Sequence, residues 1–290
     1  MGTTSKRRGN LNTVMITGAG SGIGRALTTR LLEQGVTVYG GALNAAEAEA
    51  IAEFHGDIHA VIIDVTDDES IRKAIDSVTE SLGERPLDAL FNIAGVITNG
   101  PLLDLSPKLF ETVLGVNVVG THATTQACLP LLRRSTNARV VNMSSASGRR
   151  TLPFTGAYSA SKFGVEALST AMRLEFAPLG VHVAVIAAGL INTPMAAHIE
   201  RDLRHPPSDP AYTEPLGHFL TRMRTALANG LPMARVIDLI IEAAVAAKPR
   251  ARYEIHNNYL QDAVLMRIVP QPIRDTFINR ALGLKEGTQP

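Results

Sequence analysis

A single α/β domain, doubly wound around a central parallel sheet with helices on both faces, is the fold that this 290-residue sequence predicts. Short apolar runs alternate along the chain with longer segments of helical spacing. The apolar runs are continuous rather than alternating with polar residues, which is typical of strands buried on both faces of a parallel sheet. Apolar residues make up 45% of the chain and aromatic residues only 4%, which favours close packing of small side chains between helices and sheet.

The elements are predicted in strict alternation. Strands are expected over seven short runs: Thr13–Thr17, Val36–Gly40, Ile58–Asp64, Ala89–Ile93, Ala138–Met143, Val181–Ala187 and Ala251–Ile255. Helices are expected where apolar residues recur three or four apart: Arg25–Gln34, Ala45–Phe54, Ser70–Leu82, Lys108–Arg133, Tyr158–Pro178 and Arg235–Ala247.

The pattern changes over about residues 194–232, where prolines interrupt the chain while apolar residues continue. Those apolar residues are Met195, Ile199, Leu203, Phe219 and Met223. We interpret this segment as a helical cover over a site, the alternative being a plain surface insertion. Residues from about 256 to 290 form a C-terminal extension with apolar spacing at Leu260, Val264 and Ile268. We find no repeat or linker, so one domain is expected to include residues 1–290.

Composition excludes several classes of function. A net charge of +1 gives no electrostatic reason for binding nucleic acid or an anionic membrane. The single cysteine, Cys128, cannot form an internal disulfide, and we expect a buried thiol in a cytoplasmic protein. No apolar run is long enough to span a membrane. His55 and His59 are four apart but lack a third ligand, so no metal site is expected.

A glycine-rich segment, T-G-A-G-S-G-I-G at positions 17–24, follows the first predicted strand and opens the first helix. Glycines allow a tight turn there and let backbone N–H groups approach a pyrophosphate at the positive end of the helix. This context predicts a dinucleotide site, with contacts at Gly18, Gly20, Ser21, Gly22, Ile23 and Gly24.

The ends of the third and fourth strands add further candidates. Asp64, followed by Val65, is placed where a carboxylate could accept a hydrogen bond from an adenine amino group. The alternative is a negative charge at the start of the next helix. Asn92, Ala94 and Gly95 end the fourth strand, where small residues would let the backbone pack against the adenosine ribose.

Tyr158 and Lys162 are one helical turn apart and would lie on the same helix face. A free phenol has a pKa of about 10, and a fixed cation beside it lowers that pKa. A tyrosine tuned in this way can exchange a proton with an alcohol or ketone.

In their order and spacing these motifs resemble the short-chain dehydrogenase/reductase family, and the chain is most similar to its retinol and 17β-hydroxysteroid dehydrogenase branch. The matching positions are residues 17–24, Asp64, residues 92–95, Asn117, Ser145, Tyr158, Lys162 and residues 188–193. The resemblance departs at two positions, with Ile93 in place of an Asn and Ala188 in place of a Pro, and both could loosen how the nicotinamide half is held.

The resemblance implies a Rossmann fold and a role for each matching residue. Tyr158 would be the acid/base, while Lys162 would lower its pKa and hold the nicotinamide ribose. Ser145 would bond the substrate oxygen, and Asn117 would kink its helix and hold a water in a proton relay. Taken alone, Ser145 could equally serve turn chemistry and Asn117 could be an ordinary helical polar residue. Further cofactor contacts are implied at Gly189, Ile191 and Thr193.

The second strand ends in Gly40-Gly41-Ala42-Leu43-Asn44, with neither an acidic nor a basic residue. No cation is evident there to neutralise a 2′-phosphate, so NAD is expected, with NADP the alternative. Ser21 stands where NADP-preferring relatives often have a basic residue.

The expected pocket walls are mostly apolar: Ile97, Ser147, Thr155, Leu190 and the cover segment. They favour a hydrophobic secondary alcohol or ketone, resembling a steroid, a retinoid or a long-chain carbinol. Arg201, Arg204 and Arg222 could instead recognise an anionic group. The alternative functions are a 3-oxoacyl thioester reductase and a non-catalytic regulator that senses the dinucleotide. By family analogy a homodimer or homotetramer is expected, paired through helices 108–133 and 158–178.

Overall fold

Seven parallel strands form one sheet in the computed structural model, which describes residues 10–191, 193, 195, 201, 203, 206–257 and 269–285. The strands are β1 (Thr13–Thr17), β2 (Thr37–Ala42), β3 (His59–Ile62), β4 (Ala89–Asn92), β5 (Arg139–Ser145), β6 (His182–Ala188) and β7 (Arg252–Ile255). Their order is β3-β2-β1-β4-β5-β6-β7. The order reverses between β1 and β4, and this switch point is where open parallel sheets bind ligands. The predicted doubly wound α/β class is confirmed.

Helices connect the strands, and seven of the described helices lie on the six predicted helical segments, because α4 and α5 both fall within Lys108–Arg133. The described α-helices are α1 (Gly22–Glu33), α2 (Ala45–His55), α3 (Asp68–Leu82), α4 (Pro107–Leu114), α5 (Gly120–Leu132), α6 (Gly156–Phe176), α7 (Thr213–Ala228), α8 (Met233–Val245) and α9 (Gln271–Leu282). None of the helices in the described part of the chain has the length and apolar character needed to cross a bilayer.

Two apolar clusters lie on opposite faces of the sheet. One includes Leu27 of α1 and Ile240 of α8, and the other includes Val78 of α3 and Met172 of α6. Cys128 of α5 is fully buried in the second cluster, as predicted, and burial raises the pKa of its thiol to about 12. Helices therefore cover both faces, and the carboxyl ends of the strands remain to form a site.

The predicted helical stretch over Lys108–Arg133 is observed as two helices. A π-helical turn, Gly115–Val119, separates α4 from α5. Such turns insert one extra residue into a helix and often mark functional positions. The helix break that the resemblance implied at Asn117 is thus present as a π-turn.

The cover segment contains the predicted helical structure in α7, which packs through Leu216 and Phe219 against Phe154 in a third apolar cluster. Helix α9 was not predicted. Its two prolines, Pro270 and Pro272, occupy the N-cap and the first turn, where no intrahelical N–H is needed. Several residues of the cover and tail lie outside the described part: Pro194, Ile199, Arg204, Leu260, Val264 and Ile268.

Candidate active site

The glycine loop between β1 and α1 is shaped by close backbone contacts. Gly18 has φ +68°, and a methyl group built on it would lie 2.9 Å from Cα of Ala94. A methyl group on Gly24 would overlap the carbonyl oxygen of Gly18. Both positions therefore require glycine, and the loop packs directly against the end of β4 at the switch point.

The start of α1 suits an anionic group. Helix α1 begins at Gly22, and its N-cap residue, Ser21, makes no side-chain cap bond. The first turn, which includes Ile23, contains no acidic residue. This helix end carries a partial positive charge and unpaired N–H groups, so the predicted loop residues fit a pyrophosphate.

Thr17 connects the glycine loop to the end of β4, a role that the motif alone did not reveal. Its hydroxyl accepts hydrogen bonds from the backbone N–H groups of Ile93 and Ala94, both at 3.1 Å. Asn92 instead points into the core, where its Nδ2 donates to Thr125 at 2.9 Å and to Asn142 at 2.8 Å. Asn92 therefore connects the end of β4 to α5 and β5 within the core.

The end of β3 places Asp64 beside its own turn. Its Oδ1 accepts from the backbone N–H of Thr66 at 2.9 Å and from the hydroxyl of that residue at 2.7 Å. The N-cap of α3 is Asp67, which accepts from Glu69 and Ser70. The alternative role for Asp64 as the charge that caps this helix is therefore taken by Asp67, and adenine contact remains a prediction. Val65 is buried and packs against Gly120.

Ser145, the last residue of β5, comes together with Tyr158 and Lys162 of α6 at the carboxyl edge of the sheet. Nζ of Lys162 lies 5.6 Å from the centroid of the Tyr158 ring and donates to the carbonyl oxygen of Met143 at 2.9 Å. A methyl group on Gly95 would lie 3.8 Å from the same Nζ. Ser145 hydrogen-bonds Tyr158 and also accepts from Ser147 N at 3.1 Å, so it serves turn chemistry as well.

Burial controls the charges in this group. It raises the pKa of Tyr158, and the hydrogen bond with Ser145 opposes that rise. It lowers the pKa of Lys162 to about 8, and the negative charge of Glu166 opposes that fall. The net direction at Tyr158 is therefore opposite to the one expected from the lysine alone, because desolvation of the phenolate is the largest cause. Lys162 is still mostly protonated at neutral pH.

Glu166 belongs to a cluster of charges that the sequence reasoning missed. It forms an ion pair with Arg252 of β7, which also contacts Glu254 at 2.5 Å. The four-residue spacing from Lys162 to Glu166 places both on one face of α6, and this was the available signal. The ion pair between Glu166 and Arg252 of β7 could not be predicted from the sequence, because it joins residues far apart in the chain.

Asn117 sits inside the π-turn and is buried. Its Oδ1 accepts from Val96 N at 2.8 Å, while its Nδ2 donates to Val96 O and to the hydroxyl of Ser161, each at 2.9 Å. The residue therefore joins the segment after β4 to helix α6. The proton relay implied for it stays a prediction.

The loop after β6 is held by Asn257, another residue that was not predicted. Its Oδ1 accepts from Leu190 N at 2.8 Å, and a methyl group on Gly189 would overlap that oxygen. Ile191 pairs with Leu231 in an isolated bridge. Thr193 follows and is partly buried. The three implied cofactor residues, Gly189, Ile191 and Thr193, therefore all lie on the short segment that follows β6.

A cavity of about 430 Å³ opens between the start of α6 and α9. Its apolar lining consists of Leu102, Leu152, Pro153, Phe154 and Ile278, and its polar lining of Thr151, Asp275 and Asn279. Ser145, Tyr158 and Lys162 are not part of this lining. The predicted walls Ile97, Ser147, Thr155 and Leu190 do not line it, although Ile97 packs against the third apolar cluster.

Asn99, in the segment that follows β4, is a further polar residue that the sequence reasoning missed. It is 7% exposed, and within the described part of the chain neither of its amide atoms has a hydrogen-bond partner.

Known proteins are similar to this chain in sequence and in fold. The family model described as short chain dehydrogenase matches residues 12–204. The chain is 31% identical over 280 residues to an NADPH-dependent 3-dehydrocapnine reductase of Ornithobacterium rhinotracheale, covering 95% of this chain and 98% of that protein. It is 33% identical over 285 residues to retinol dehydrogenase 5 of Mus musculus, covering 89% of each. A crystal structure of a short-chain dehydrogenase from Streptomyces avermitilis superposes with a TM-score of 0.76 at 25% identity, covering 96% of this chain and 100% of that one.

Proposed function

This chain belongs to the short-chain dehydrogenase family and is an oxidoreductase; from that premise we propose that it interconverts a hydrophobic secondary alcohol and its ketone with NAD, using Tyr158 as the acid/base. One observation carries the proposal. A buried ammonium, a phenol and a serine hydroxyl meet at the carboxyl edge of the sheet, beside the glycine loop.

The residues present fit a nicotinamide dinucleotide. The glycine loop and the start of α1 would hold its pyrophosphate, and Lys162 would hold the hydroxyls of the nicotinamide ribose. When bound, the nicotinamide ring accepts or supplies the hydride. Support for NAD comes from the end of β2, where residues 40–44 include no Lys or Arg that could neutralise a 2′-phosphate.

The protein residues supply orientation and a proton. In the oxidation direction, the Tyr158 oxygen takes the hydroxyl proton of the substrate while Ser145 bonds the substrate oxygen. In reduction, Tyr158 returns that proton. Protonated Lys162 stabilises the phenolate, whose formation burial opposes. Burial thus favours the neutral phenol, so the phenolate form of Tyr158 depends on stabilisation by Lys162 and by the bound substrate and cofactor.

An apolar substrate is supported by the surroundings. Five of the nine residues that line the cavity beside α6 are apolar, and one of them, Phe154, belongs to the third apolar cluster. Nε of Arg222 is engaged with the carbonyl oxygen of Ala281 at 3.1 Å, so this arginine ties α7 to α9, which weakens the alternative of an anionic substrate.

We propose in addition that two copies pair through α4, α5 and α6. Leu109 on α4, Val119 on the π-turn before α5 and Phe163 on α6 are 42%, 58% and 45% exposed. Exposed apolar side chains on adjoining helices are typical of a surface that a second copy covers.

The test replaces Tyr158 with Phe, which removes the phenol oxygen and keeps the ring. Turnover of a panel of hydrophobic alcohols and ketones should fall by about 10²-fold or more, the contribution expected of a general acid/base. Dinucleotide binding, measured by calorimetry, should persist. Tyr39→Phe is the matched control, since it removes a phenol oxygen that contacts Ser81, away from the site. Equal turnover in the Tyr158→Phe variant and the unmodified protein would overturn the assignment.

A further inference from the structure

Glu47, in the first turn of α2, places a carboxylate on the glycine loop. Its Oε2 accepts from the backbone N–H of Leu43 at 2.7 Å. Its Oε1 lies so close to the loop that a methyl group built on Gly20 would overlap it. The side chain of Asn44 accepts from Glu47 N at 3.0 Å and fixes the start of the helix. The carboxylate is therefore held between the end of β2 and the loop.

This location is the one at which a dinucleotide-binding fold meets the adenosine ribose. The acidic residue that bonds the ribose hydroxyls usually stands near the end of the second strand. Here that strand ends in Gly41 and Ala42, neither of which carries a charge. A carboxylate nevertheless reaches the same space from the following helix, which explains why the strand sequence alone did not reveal it.

We propose that Glu47 is the residue that selects against a 2′-phosphate and so sets the preference for NAD; this inference rests on the proposed function. A carboxylate adjacent to Gly20 would repel a phosphate carried on the 2′ oxygen, while it could accept a hydrogen bond from a free 2′-hydroxyl. Glu47 also acts in capping α2, and one oxygen is used for that purpose. The other oxygen faces the loop.

The nearest cation on α1 does not offset this charge. The guanidinium of Arg25 stacks on Phe54 at 3.5 Å from the ring centroid. Phe54 lies seven residues after Glu47 on α2, which is about 10 Å along the helix axis. A 2′-phosphate beside Gly20 would therefore meet the carboxylate first.

The experiment compares Glu47→Gln with Glu49→Gln. Gln at position 47 keeps the side-chain volume and an oxygen for Leu43 N but removes the charge. Glu49 is an exposed residue of the same helix and serves as the control. Calorimetry would give dissociation constants for NAD, NADP, adenosine 5′-diphosphate and its 2′-phosphorylated form.

The unmodified protein should bind the forms without the 2′-phosphate more tightly by about tenfold or more. Glu47→Gln should reduce that ratio by about tenfold, and Glu49→Gln should leave it unchanged. An unchanged ratio in Glu47→Gln, or a preference of the unmodified protein for the 2′-phosphorylated forms, would overturn the inference. If the unmodified protein bound none of the four ligands, the proposed function itself would fail.

A second measurement does not depend on the variant folding. Because the proposed discrimination is electrostatic and partly exposed, the ratio for the unmodified protein should shrink as salt is added. A ratio that is independent of ionic strength would argue for a steric cause and against Glu47.

Discussion

Replacing Lys162 with Met should change how stability depends on pH, because a buried ammonium opposes folding. Burial lowers the pKa of Lys162 from 10.5 to about 8. At about 1.4 kcal/mol for each pKa unit, the difference corresponds to about 3 kcal/mol of unfavourable free energy when the amine is charged in the folded protein. The amine also donates to Met143 O, and loss of that bond would cost about 1 kcal/mol.

The sign follows from proton binding. Below pH 8 the amine is charged in both states, and the folded protein carries the full penalty. Between about pH 8 and 10.5 the folded state releases the proton first, so the unfolded state binds more protons and the free energy of unfolding rises with pH. The Lys162→Met variant lacks this rise. At neutral pH it should therefore be more stable than the unmodified protein by about 2 kcal/mol. This advantage should vanish somewhat below pH 10.5, and above that pH the variant should be the less stable protein by about 1 kcal/mol, the value of the lost hydrogen bond.

Urea unfolding of both proteins, at neutral pH and near the upper end of this range, measures the effect. Only the difference in free energy of unfolding between the two proteins is used, because the other ionisable groups are common to both. Turnover should be lost in the variant at every pH. A stability difference that is the same at both pH values would refute the reasoning, because it would show that Lys162 is not held as a penalised charge.

Two further substitutions test the loop and the charge cluster. Gly24→Ala would place a methyl group against the Gly18 carbonyl and should abolish dinucleotide binding in calorimetry. The control, Gly217→Ala, lies in an open part of α7 and should raise the free energy of unfolding by about 0.5–1 kcal/mol. Tight dinucleotide binding by the Gly24→Ala variant would contradict the packing described. Glu166→Gln removes the charge that opposes the fall in the Lys162 pKa, so the loss of kcat/KM on the alkaline side should begin at lower pH; an unmoved profile would show that Glu166 does not act on Lys162.

The strands could be predicted well because each is a continuous apolar run that can be recognised without knowing which strands lie beside it. β1 was placed at its observed bounds, and α2 and α3 to within two residues. The positions of the glycine loop and of Tyr158 and Lys162 followed in the same way, since their function depends on local spacing.

The sequence could not predict features that depend on distant partners. The π-turn is fixed by Asn117, whose amide reaches residues 21 and 44 positions away. Asn257 holds the loop after β6 from 67 residues downstream. The balance of pKa values at Tyr158 was also missed, because desolvation is set by the packed structure and not by the neighbouring lysine alone.

The ion pair between Glu166 and Arg252 has a consequence for how the protein matures during synthesis. The amino acids that form the dinucleotide loop and the proton-transfer group have all left the ribosome well before β7 is made. The negative charge that supports Lys162 is held in place by this last strand, which docks only after about 85 more residues have been added. A nascent chain halted before residue 250 would therefore carry every reacting group and still lack the electrostatic setting in which they operate.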